Sequence, residues 1–132
     1  MFTGIHELSV FVSAVLSVAI GSIWYSPLLF GKSWMRSAGL TLEDEELTSM
    51  EAFLLTVKGV LLQTVFFFAV AVLMTQAESL VTLGTLLSVL LVSFMVSAVV
   101  WERRPLSYLL IHAGYGILAL AVGIGIIAYW PW

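Results

Sequence analysis

The 132 residues include no cysteine and no asparagine, and only 10% of them are charged. The missing cysteine excludes disulfides, thiolate metal sites and cysteine nucleophiles. The missing asparagine removes any N-glycosylation acceptor. The scarcity of charge decides more. An ordinary soluble domain is about one quarter charged, so this chain lacks the polar surface of a water-soluble globule and equally the composition of a disordered tail. Lys and Arg total five, the net charge is −3, and no basic tract occurs, so no nucleic-acid partner is expected. What the chain has instead is apolar matter: 61% hydrophobic residues and a mean hydropathy of +1.11. The length accommodates about four spans of roughly 20 residues. The composition describes an all-α, multipass membrane protein forming one integral membrane domain.

Hydropathy places the spans at about Ile5 to Tyr25, Ala52 to Met74, Leu80 to Trp101 and Leu106 to Trp130. Each is long enough to cross roughly 30 Å of hydrocarbon as a helix, and none shows the alternation of a barrel strand. Ser17-Val18-Ala19 resembles a signal-peptidase site, but no Lys or Arg precedes the apolar run, which continues beyond Ala19, so the first span is expected to be retained. Between the first two spans, Ser26 as N-cap and Pro27 at the first helical position would start a short helix that Gly39 stops. Phe30, Trp34 and Ala38 would share one face of it and Lys32 and Arg36 another, which suits the headgroup layer. Thr41 and Asp44 resemble a capping box opening a helix that runs without interruption into the second span, with Glu43, Asp44, Glu45 and Glu46 at its positive end. Ser79 would cap the third span and Pro105 open the fourth.

Orientation follows from the basic residues. Lys32, Arg36, Lys58, Arg103 and Arg104 all fall on one side of the membrane, and an excess of Lys and Arg in short loops marks the cytoplasmic face. Both termini are therefore expected to point outward from the cell's inner (plasma) membrane. Trp24, Tyr25, Trp34, Trp101 and Tyr108 would form the inner aromatic belt, and Tyr129, Trp130 and Trp132 the outer one.

Two stretches carry information beyond composition. One is Gly21-Ser22-Ile23-Trp24-Tyr25-Ser26-Pro27-Leu28-Leu29-Phe30-Gly31-Lys32-Ser33-Trp34. The other is Glu102-Arg103-Arg104-Pro105-Leu106, continuing to Ile111, Gly114 and Tyr115. Together they resemble the domain of unknown function 1761 family of small membrane proteins, over nearly the whole chain. The resemblance implies a four-helix membrane domain and brings no established activity.

Ionisable groups inside a membrane are costly, and so point to function. Arg104, Tyr108, His112 and Tyr115 recur at helical spacing on the fourth span, and Lys58 lies at a matching depth of about 9–10 Å on the second. A cytoplasm-facing polar pocket of Tyr25, Lys58, Tyr108, His112 and Tyr115 is thus geometrically possible. The plainer reading is that Lys58 snorkels to the headgroups while a neutral His112 finds a partner in Tyr25, Tyr108 or Tyr115, and this reading is preferred. Lys32, Arg36, Arg103 and Arg104 read as topology anchors, with anionic-lipid binding as the functional alternative. No metal-ligand set is visible: His6 and Glu7 are adjacent and diverge by about 100° on a helix.

Small residues recur at intervals of four: Ser9, Ser13, Ser17 and Gly21 on the first span, Ser93 and Ser97 on the third, Ala119 and Gly123, with Ala121 and Gly125, on the fourth. Such faces let membrane helices approach closely, within the chain or against another protein. A serine stripe could also line a water path, but hydroxyls in lipid bond back to their own helix, which favours packing. No catalytic triad, zinc motif, phosphate loop or haem ligand pair is present, so neither enzymatic activity nor a cofactor is expected. The expected role is a helix-packing membrane subunit, as a homo-oligomer or an accessory of a larger complex. The alternative is a small transporter or channel built on the polar pocket. The expected partners are the lipid bilayer and other membrane helices.

Overall fold

The computed structural model describes residues 4–39 and 48–131, which fold into five helices with no strand among them. These are α1 (Glu7–Trp24), α2 (Gly31–Ala38), α3 (Ser49–Met74), α4 (Leu80–Glu102) and α5 (Leu106–Ala128). All but α2 are long and apolar enough to cross a membrane. Their boundaries agree with the hydropathy reading to within a few residues, because a run of about 20 apolar residues has no other way to satisfy its backbone in lipid.

The connections differ from expectation at two places. Ser26 and Pro27 do not start α2. They open a tight turn in which the Gly31 and Leu29 amides both donate to the Ser26 carbonyl, and α2 begins only at Gly31. That turn requires a glycine: a Cβ at position 31 would lie 2.5 Å from the Tyr25 carbonyl oxygen. Gly39 does end α2, in the left-handed conformation with φ 74°. The second difference is the start of α3. Its N-cap is Thr48, in extended backbone, so no helix runs unbroken into the second span from the acidic stretch. The capping box is formed by Thr48 and Glu51: the Glu51 amide donates to Thr48 Oγ1 and the Thr48 amide to Glu51 Oε2, at 3.3 and 2.9 Å. The box expected from Thr41 and Asp44, like Trp132, lies outside the described residues. Ser79 caps α4 as expected, accepting from the Thr82 amide.

The helices pack in the cyclic order α3, α1, α5, α4, with the ring weakest where α4 returns to α3. The core lies between α1, α3 and α5: Val10, Ala14, Phe67, Val70, Ala71 and Leu120 form one buried cluster. The serine stripe of α1 belongs to it. Ser9, Ser13 and Ser17 are among the least exposed side chains of the protein, and Ser13 Oγ donates to the Ser9 carbonyl one turn back at 2.8 Å. Opposite, Ala119 and Gly123 are buried on α5, and the Phe67 ring lies over Gly123, in the space a Cβ would occupy. These small residues therefore serve packing within the chain. On α4, by contrast, Ser93 and Ser97 face outward and no residue is buried.

Candidate functional site

The end of α1, the turn after it, α2 and the first turns of α5 meet at one end of the bundle, and His112, Tyr108 and Tyr115 gather there with Tyr25 and Trp34. His112 is at the centre. The Tyr25 hydroxyl lies 2.7 Å from its Nδ1, and the Trp34 indole N–H donates to its Nε2 at 3.2 Å. An indole nitrogen can only donate, so Nε2 presents its lone pair, and the neutral ring carries its proton on Nδ1, donated to Tyr25. The tautomer follows from the partners. Tyr108, one turn before His112, packs edge-on against the imidazole with ring centroids 4.4 Å apart.

The neighbours extend this cluster into the bundle. Tyr115 meets Tyr25 edge-on at 5.5 Å, and its hydroxyl donates to the Ser17 carbonyl at 3.0 Å, with Ser17 Oγ 3.2 Å away. Gly21 is what lets the phenol in: a Cβ there would stand 3.1 Å from the Tyr115 oxygen. The Trp24 indole donates to the Ile111 carbonyl at 3.0 Å, and its ring passes over Gly114. The pairs Ser17–Tyr115, Trp24–Ile111 and Tyr25–His112 thus fasten α1 and the following turn to α5 at this end, and Trp34 fastens α2 to the same helix.

Of the five residues expected in a pocket, Tyr25, Tyr108, His112 and Tyr115 come together. Lys58 does not. It is exposed on α3, with no hydrogen-bond or ion-pair partner among the described residues, because α3 turns the face bearing Phe67, Val70 and Ala71 inward. Helical periodicity along a continuously apolar span could not reveal that rotation. Trp34 is the member the sequence reading missed, having assigned it to the interface belt. Its place on the face of α2 opposite Lys32 and Arg36 was the available signal.

Among the basic anchors, Lys32 and Arg36 are exposed on α2. Arg103 is exposed at the end of α4 in the left-handed conformation, φ 54°. Arg104 has a structural task besides any topological one. One guanidinium nitrogen donates to the Ala38 carbonyl at 2.6 Å, capping the last turn of α2, while the group pairs with Glu102 at 3.4 Å and lies 5.6 Å from the Tyr108 ring centroid.

The residues that build this end, Trp24-Tyr25-Ser26-Pro27 with Trp34 and Arg104-Pro105 with His112 and Tyr115, fall inside the region matched by the sequence model of one family, described as protein of unknown function (DUF1761), over residues 8–129. The chain belongs to that family. No curated protein and no solved structure matches it. In this member of DUF1761, the Trp-Tyr-Ser-Pro block thus supplies both partners of one helix-to-helix fastening: Trp24 for the α5 backbone and Tyr25 for His112.

Proposed function

We propose that the protein is a membrane subunit that works by presenting a helix face to other membrane helices, as a homo-oligomer or as part of a larger complex, without catalysis of its own. One observation carries this reading. Ser93 and Ser97 stand four apart on the outward face of α4, and their hydroxyls have no partner among the described residues, whereas Thr56, Thr64 and Thr85 on exposed or half-buried positions bond back to their own helices. Lipid explains an exposed apolar helix; it does not explain hydroxyls left free along it. Gly84 and Ser88 on α4 and Ala121 on α5 border the adjoining groove of about 620 Å³, where a second helix could approach closely.

The alternative, a small transporter or channel, is weakened by the same geometry. Both nitrogens of His112 are engaged within the chain, and Lys58 stands apart from them. We take the termini to face outward, on the distribution of Lys and Arg.

Single cysteines test the interface, since the chain has no others. Cysteines replacing Leu90 and Phe94 on α4, treated in native membranes with a short bifunctional maleimide, should cross-link to a second copy or to one reproducible foreign protein. Cysteine at the buried Ala14 should not. An α4 that yields no defined adduct would leave the packing reading without support.

A further inference from the structure

Where α4 fails to close against α3, a groove of about 340 Å³ opens between α3, α4 and α5. Its walls are apolar and aromatic, including Leu62, Phe66, Leu91, Met95 and Tyr115. One polar side chain lines it without a partner: Gln63, whose amide makes no hydrogen bond to any described residue. Gln63 is about 21 Å along α3 from Ser49 and about 17 Å from Met74, at 1.5 Å per residue, and so lies near the middle of the span. A free amide at that depth is costly, since neither water nor lipid tails complete it. The other polar group nearby is spent, because the Tyr115 hydroxyl is committed to Ser17.

We infer that this groove binds a lipid-soluble molecule of one or two rings that carries a carbonyl oxygen, held by the Gln63 amide. The size excludes a helix, which is about 10 Å across, and fits a compact ring system within the range of ordinary small-molecule sites. The groove borders Leu62, which is 72% exposed, so the occupant enters sideways from the bilayer. The carbonyl accepts from the Gln63 Nε2 amide, a donor that the apolar walls of the groove leave unpaired. The groove is formed within one chain and does not rest on the reading of α4 as an interface.

Benzophenone is a suitable probe, being an aromatic ketone that inserts into nearby C–H bonds on irradiation. Tritiated benzophenone, irradiated with the detergent-purified protein, should place its adducts on Leu62–Phe66 and Leu91–Met95. Gln63→Leu should lower the yield there about five-fold, the worth of one net hydrogen bond. In the wild-type protein, unlabelled benzophenone should compete about five-fold better than diphenylmethane, which has the same two rings and no carbonyl; this comparison holds even if Gln63→Leu fails to fold. Adducts spread evenly over lipid-facing positions such as Leu61 and Phe94, undiminished labelling of a folded Gln63→Leu, or equal competition by diphenylmethane would each overturn the assignment.

Discussion

Trp34 and His112 are 78 positions apart in the chain and joined by a single indole N–H bond to imidazole Nε2. The bond ties the short helix α2, outside the four long spans, to the middle of the tyrosine cluster on α5. It also sets the tautomer that Tyr25 meets on the other side of the ring. Cutting out the imidazole should leave two donors or acceptors unpaired at once. We expect His112→Ala to cost about 1–3 kcal/mol for each group stranded, and Lys58→Met to cost almost nothing, because that side chain has no partner among the described residues. Thermal unfolding of both variants in one detergent decides the order. A more damaging Lys58→Met would show that its charge is needed, and would move the transporter reading ahead of the packing one.

Gly123 and Gly125 make a matched pair of substitutions. A methyl at 123 meets the Phe67 ring, whereas at 125 it meets open space. Gly123→Ala should therefore destabilise the bundle by about 1–3 kcal/mol, with Gly125→Ala near neutral in the same unfolding assay. Adding Phe67→Leu to Gly123→Ala should recover part of the loss, and a double-mutant cycle should give a coupling of about 0.5–3 kcal/mol.

Arg103 holds a left-handed backbone that favours glycine. Relief of roughly 1–2 kcal/mol of strain outweighs the roughly 0.5–1 kcal/mol entropy cost of a glycine. Arg103→Gly should thus raise stability by up to about 1 kcal/mol. Its neighbour should behave in the opposite sense. Arg104→Met removes the cap on Ala38, so the amides of α2 should exchange with deuterium faster than in the wild type, while those of α1 change little.

Orientation is open to a direct test on intact cells. Cysteines at the exposed positions His6 and Ser33 should react with an impermeant maleimide from opposite faces, His6 from outside. Ser37 is less suitable, being buried against α5's end of the bundle. Reaction of both from outside would reverse the assignment made from the basic residues.

Hydropathy alone determined the number, length and order of the membrane helices, since a long apolar run in lipid can satisfy its backbone only as a helix. The capping signals at Ser79 and Gly39 were legible for the same local reason, and the Thr48–Glu51 box was legible too but was passed over in favour of Thr41 and Asp44. Which face of each span turns inward was not legible. In a water-soluble helix the polar face reports the answer, but here lipid and core are equally apolar, and Phe66, Phe67 and Phe68 read alike although only Phe67 is fully buried. The tertiary structure therefore decided that Ser9, Ser13 and Ser17 of α1 lie inside and Ser93 and Ser97 of α4 outside, and that His112 pairs with Tyr25 and Trp34. It also decided that Lys58 stands apart and that Gln63 faces an unfilled groove. Each of these depends on helix rotation and on the weak α3–α4 edge, which are set by packing between distant segments and leave no periodic mark in a uniformly hydrophobic sequence.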